Sequence, residues 1–97
     1  MLVRVAADGA VTLEEADNFR RFSVGAAPGA PLARALDGIA RLEGEAHAWV
    51  SPAGLRRLAP QAGQPEWEEG FGKMLAYAAS KGWTDAEGAV RAHIETI

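Results

Sequence analysis

The sequence has no cysteine, only two histidines and no long run of apolar residues. Without cysteine the chain forms no disulfide and no thiolate metal site, which fits the reducing conditions of the cytoplasm. No stretch reaches the 18 or so apolar residues that cross a bilayer, so no membrane-spanning segment is predicted. The first residues, MLVRVAADG, lack the apolar core and the cleavage pattern of a signal peptide. We therefore expect a cytoplasmic protein that makes no contact with membranes.

A strong positive charge is also missing, because the formal net charge is −3. The pairs Arg20-Arg21 and Arg56-Arg57 do not change this, since neighbouring residues on a helix point about 100° apart and form no single patch. Nucleic acid is therefore not expected as a partner. The chain has 97 residues, of which 48% are apolar and 24% charged. This composition predicts a single globular domain over residues 1–97 with one modest core.

The stretch from Pro65 to Trp83 has the most regular apolar pattern in the chain. Trp67, Phe71 and Leu75 recur at every fourth residue, which places them on one face of an α-helix. A proline at the start and Lys81-Gly82 near the end are typical helix boundaries. We expect this helix to be the central packing element of the fold.

The rest of the chain is predicted to be mainly helical, giving about five helices and two short strands. The strands are expected at residues 2–6 and 46–50. Capping residues and apolar spacing predict the other helices at residues 13–24, 32–43, 52–59 and 85–97. The predicted fold is a small, predominantly helical α+β domain. Because an isolated two-stranded ribbon is marginal in water, we expect a homodimer to join two ribbons into a four-stranded sheet.

Six side chains are candidates for a ligand site or a subunit interface. Histidine exchanges protons near neutral pH, while tryptophan and tyrosine combine a flat apolar surface with one polar group and are enriched at interfaces. The alternative for each is an ordinary place in the core or at its edge. The candidates are His47, Trp49, Trp67, Tyr77, Trp83 and His93.

No cofactor, no metal site and no catalytic set is assigned. His47 and His93 lie far apart in the sequence, and no carboxylate has metal-ligand spacing to them. Residues 8–15 match the second half of a calcium-binding EF-hand loop, but Arg4 and Ala6 stand where the first half needs oxygen ligands. A helix-capping box accounts for the same residues.

Two functions follow from these observations. The first is a non-catalytic binding or accessory role for a small bacterial-type domain that self-associates and works through protein–protein interaction. The alternative is a small-molecule-binding protein or a small enzyme that uses His47 or His93 as acid or base beside a tryptophan-lined cleft. A ligand screen by thermal unfolding separates the two, because a bound small molecule raises the melting temperature only in the second case.

Overall fold

A computed structural model describes all 97 residues and shows a six-stranded mixed sheet with three helices. The strands are β1 (Leu2–Val5), β2 (Val11–Glu14), β3 (Ser23–Ala26), β4 (Ala40–Glu43), β5 (His47–Val50) and β6 (Val90–Thr96). The helices are α1 (Leu32–Ala35), α2 (Pro52–Leu58) and α3 (Pro65–Ser80). No helix has both the length and the hydrophobicity that crossing a membrane requires.

The strand order in the sheet is β2-β1-β3-β6-β5-β4. The central strands β1, β3 and β6 are parallel to one another, whereas β2, β5 and β4 each run antiparallel to their neighbours. The last strand of the chain, β6, therefore lies in the middle of the sheet, between β3 and β5. Only β2 and β4 have an unpaired edge.

The hydrophobic core lies between one face of this sheet and the helices. Val3 and Val50 are fully buried on the sheet side, and Phe71 is fully buried on α3. The rings of Trp67 and Phe71 stack with their centroids 4.7 Å apart. The predicted helix and its buried Trp67–Phe71 face are confirmed. The central element of the fold is instead the sheet, whose strands supply six of the twelve residues of the main core cluster.

The predicted helical dominance is wrong, and two of the failed helices have a local cause. The segment predicted as helix 13–24 begins inside β2, which pairs with β1, and Glu15 ends that strand with a positive φ of 50°. The segment predicted as helix 32–43 is interrupted by Gly38, whose φ of 80° is incompatible with a helix. Ala40–Glu43 then forms β4 instead.

The helix predicted at residues 85–97 is also wrong, because this segment contains β6. Val90 and Ala92 are buried, whereas Arg91 and His93 are exposed. This alternation has the period of two that belongs to a strand with one covered face. Pairing with β3 on one side and β5 on the other outweighs the weaker helical spacing of Val90 and Ile94.

The two predicted strands are confirmed as β1 and β5, and the helices that begin at Pro52 and Pro65 are confirmed as α2 and α3. However, β1 and β5 do not pair with each other, because β3 and β6 lie between them. The homodimer that was expected to complete a two-stranded ribbon is therefore not needed to complete this sheet.

Candidate ligand-binding groove

An open groove of about 820 Å³ is lined by residues of α3, the β2–β3 connection, β5 and β6, and by Trp83. Its volume falls within the range of about 300–1,000 Å³ that is usual for small-molecule sites. The apolar part of its lining consists of seven residues, namely Phe19, Phe22, Met74, Tyr77, Ala78, Trp83 and Val90.

One face of α3 forms a wall of the groove. Gly70, Met74 and Tyr77 lie three or four residues apart and therefore on the same side of the helix. Gly70 allows the ring of Phe19 to lie directly on the helix, since a Cβ atom at this position would be 2.8 Å from Phe19 Cδ2. The ring of Phe19 also contacts Trp67, with a centroid distance of 6.1 Å.

The β2–β3 connection forms the opposite wall and is fixed by polar contacts of its backbone. The ammonium group of Met1 donates to the carbonyl oxygens of Asn18 and Arg21 at 2.9 and 2.8 Å. Burial lowers the pKa of this ammonium group below its usual value of 8.0. The indole nitrogen of Trp67 donates to the carbonyl oxygen of Ala16 at 2.9 Å. These contacts anchor the connection while the side chain of Arg21 stays exposed.

The charged part of the lining is entirely basic. No aspartate or glutamate is among the fourteen lining residues, although the chain as a whole has a net charge of −3. The groove therefore differs in sign from the average surface of the protein. Its basic residues are Arg20, Arg21, Lys73 and Arg91, together with His47 and His93.

Arg20 and Arg21 are not neutralised by any carboxylate. Five of the ten lysines and arginines form ion pairs, and these two do not. Lys73 is paired with Glu69 at 3.2 Å, but both side chains are more than two-thirds exposed, so the pair is weak. The positive charge of Arg20 and Arg21 is thus available to a ligand.

His47 and His93 face each other across β5 and β6. They are direct cross-strand partners, with ring centroids 5.4 Å apart and ring planes at 78°. His47 is half-buried and His93 is exposed. This juxtaposition could not be seen in the sequence, because it depends on the register between two strands that are far apart along the chain.

Glu43 is the carboxylate opposite His47 in β4, and it is already engaged by other partners. Arg91 donates to it from Nε at 2.9 Å and from Nη2 at 2.7 Å, and the indole of Trp49 donates at 2.7 Å. The hydrogen bonds from Arg91, and then from Trp49, hold the pKa of Glu43 below its usual 4.5. Glu43 is therefore ionised at neutral pH and balances the charge of Arg91.

Tyr77 and Trp83 form an exposed aromatic pair in the lining. Their rings meet edge to face at 5.9 Å, and the residues are 57% and 47% exposed. The ammonium group of Lys81 lies 5.5 Å from the centre of the Tyr77 ring. The pair offers flat apolar surface that the fold itself does not cover.

The structure brings four of the six sequence candidates into the groove, namely His47, Tyr77, Trp83 and His93. It does not bring the other two there. Trp67 lies in the core at 5% exposure. Trp49 lies outside the groove, and its ring is covered by the guanidinium group of Arg41 at 5.5 Å.

Sequence reasoning missed the arginines of the β2–β3 connection. In the helix predicted over residues 13–24, the side chains of Arg20 and Arg21 would point about 100° apart and form no single patch. The structure has a non-helical connection here, and both side chains line the groove. The available signal was the run Phe19-Arg20-Arg21-Phe22, in which two aromatic rings flank two cations.

The chain contains no group of three or more histidine, aspartate or glutamate side chains arranged to bind a metal ion. It matches no protein-family model, no curated protein and no solved structure.

Proposed function

We propose that the protein is a non-catalytic binding protein whose groove holds a small organic anion with a flat apolar body. This proposal rests on the composition of the groove lining. Half of the lining residues are apolar, and all of its charged residues are basic although the chain is acidic overall. The apolar lining residues, including the Tyr77–Trp83 pair, favour a ligand with an aromatic or polycyclic body. The arginines favour a carboxylate, sulfonate or phosphate, which guanidinium groups bind through paired hydrogen bonds.

The size of these contributions predicts moderate affinity. A two-ring body that buries about 150 Å² of apolar surface gains roughly 4 kcal/mol at about 25 cal/mol per Å². A charge-assisted hydrogen bond from an arginine adds about 1.5–3 kcal/mol. Part of this gain is offset by the lost translational freedom of the ligand. We expect dissociation constants between about 1 µM and 1 mM.

A pair of fluorescent dyes tests the proposal directly. Anilinonaphthalene sulfonate combines aromatic rings with a permanent negative charge, and N-phenylnaphthylamine is its uncharged analogue. We expect the protein to bind the sulfonate at least about tenfold more tightly than the neutral dye, which corresponds to roughly 1.4 kcal/mol. Equal affinity for the two dyes would contradict the role of the basic lining.

Matched arginine variants locate the binding site. The double variant Arg20→Ala/Arg21→Ala should lose most of the preference for the sulfonate. Arg34→Ala is the control, because Arg34 is also exposed and forms no ion pair but lies outside the groove. If Arg34→Ala weakened sulfonate binding as much as the double variant, binding would reflect overall charge rather than this groove.

The proposal keeps two further expectations from the sequence. A cytoplasmic location is supported by the lack of cysteine. Self-association stays a prediction, for which the unpaired edges of β2 and β4 offer a route by strand pairing between copies.

A further inference from the structure

The paired imidazoles of His47 and His93 are the feature of the groove that its anion-binding arginines do not explain. Both line the groove, and their ring centroids are 5.4 Å apart. Imidazole is the side chain whose charge ordinarily changes between about pH 5 and 8. Two such rings at this distance repel each other when both are charged.

We infer that the His47–His93 pair contacts the anionic group of the ligand and takes up a proton when the ligand binds, so that the groove holds its ligand in mild acid and releases it above neutral pH. This inference rests on the proposed function. It adds where the anionic group of the ligand lies in the groove and how pH controls the binding of the ligand.

Two carboxylates lie near the pair, and each also has another hydrogen-bond donor. On β4 the carboxylate opposite His47 is Glu43, which is occupied by Arg91 and Trp49. On β6 the residues that flank His93 on the same face are Arg91 and Glu95, while the side chain opposite on β3 is Ser23.

The second nearby carboxylate is Glu95, which accepts a hydrogen bond from the neutral hydroxyl group of Ser23 at 2.9 Å and keeps its negative charge. The other charged groups of the lining are Arg20, Arg21 and Lys73, which all oppose a further positive charge. An anion in the groove adds negative charge beside the pair and favours its protonated form.

Thermodynamic linkage turns this into a measurable pH dependence. If ligand binding draws one proton onto the pair, the affinity for the ligand increases as the pH falls. The increase is at most about tenfold per pH unit, over the range in which imidazole ordinarily changes its charge. We expect a total change of about tenfold between roughly pH 5.5 and 8.0.

Anilinonaphthalene sulfonate is again the appropriate probe, because its sulfonate stays ionised over this whole range and cannot itself cause a pH effect. For the wild-type protein we expect its dissociation constant to be about tenfold larger near pH 8.0 than near pH 5.5. In the variant His47→Gln/His93→Gln the same change should shrink to less than about twofold. Circular dichroism of each variant verifies that it is folded.

Calorimetry on the unmodified protein gives an independent reading. Titrations near pH 6.5 in two buffers of different ionisation enthalpy yield the number of protons taken up per bound dye, for which we expect about 0.5–1. This measurement needs no variant, so it decides the matter even if the double substitution impairs folding.

The possible outcomes separate this inference from the proposed function. Tight dye binding with a flat pH profile and no proton uptake would overturn the role of the pair and leave the proposed function standing. A pH profile that survives in the double variant would place the proton elsewhere and also overturn the inference. No dye binding at any pH would overturn both.

Discussion

Two glycines of α3 offer a matched test of how the groove wall is built. Gly70 and Gly72 both lie inside the helix, and neither has a positive φ. A Cβ atom at Gly70 would be 2.8 Å from Cδ2 and 3.0 Å from Cζ of Phe19, whereas a Cβ atom at Gly72 would meet nothing within 4 Å. We predict that Gly72→Ala stabilises the protein and that Gly70→Ala destabilises it.

The expected magnitudes come from two opposing effects. Replacing glycine by alanine inside a helix increases the free energy of unfolding by about 0.5–1 kcal/mol, and this gain applies at both positions. At Gly70 the new methyl group forces the ring of Phe19 to move, and such overpacking costs about 1–3 kcal/mol. The displaced ring also weakens its contact with Trp67, worth up to about 1 kcal/mol. We expect Gly70→Ala to lose about 1–2 kcal/mol and to lie about 2–3 kcal/mol below Gly72→Ala.

Urea unfolding monitored by tryptophan fluorescence measures both variants, because Trp67 is buried in the folded protein. In a domain of this size 1 kcal/mol shifts the melting temperature by about 4–8 °C, so thermal unfolding provides a second measurement. The substitution Phe19→Ala removes the obstacle. In that background Gly70→Ala should become stabilising, as Gly72→Ala is in the wild-type protein.

Equal unfolding free energies for Gly70→Ala and Gly72→Ala would refute this reasoning. They would mean that the ring of Phe19 does not rest on the helix and that this wall of the groove is wrongly assigned. Dye binding gives a parallel criterion, since Gly72 does not line the groove and Gly72→Ala should leave the affinity unchanged.

Two further predictions concern stability. Hydrogen bonds from arginine side chains lower the pKa of Glu43 and Asp85 below their usual 4.5 and 3.8. Each carboxylate therefore stabilises the fold above its unfolded pKa and loses that contribution as the pH falls through its folded pKa. Urea unfolding at a series of pH values should show that the free energy of unfolding declines in acid, and that this decline is smaller in Glu43→Gln than in the wild-type protein. An equal decline in both would show that Glu43 does not contribute to it. Trp67→Phe should lower the unfolding free energy by about 1–3 kcal/mol, because it leaves the carbonyl oxygen of Ala16 without its donor. Urea unfolding of Trp67→Phe with wild-type stability would show that this hydrogen bond contributes nothing.

The elements that could be predicted from the sequence are those with strong local signals. The long helix α3 has a proline at its start and aromatic side chains at helical spacing, and the short helix α2 has Ser51, whose hydroxyl group accepts from the amide of Gly54. Strand β1 has β-branched side chains at both buried positions. In each case local preference and tertiary packing point to the same structure.

The missed elements have local signals that compete with long-range pairing. Thr12 and Glu15 match a helix-capping box, yet Thr12 pairs with Arg4 in the sheet. In β6, Ala92 occupies a buried position where a larger β-branched residue would have made the strand recognisable. The paired strands are distant in sequence, so their hydrogen bonds are invisible to any local pattern.

The same limit applies to the groove. Aromatic and histidine side chains could be proposed as site residues from their chemistry alone, and four of the six lie in the groove. Arg20 and Arg21 could not, because their position depends on whether residues 13–24 form a helix. The opposition of His47 and His93 depends in turn on the register of β5 and β6.

The central position of β6 also has a consequence for the order of events during synthesis. Strands β1, β2 and β3 form one group and β4 and β5 another, and only β6 hydrogen-bonds to both groups. On the ribosome, the two groups have no shared strand until residues 90–96 emerge from the exit tunnel. Sheets joined through such distant segments fold slowly compared with helical bundles. One edge of β3 and one edge of β5 therefore stay unpaired until residues 90–96 join them, and unpaired strand edges favour aggregation.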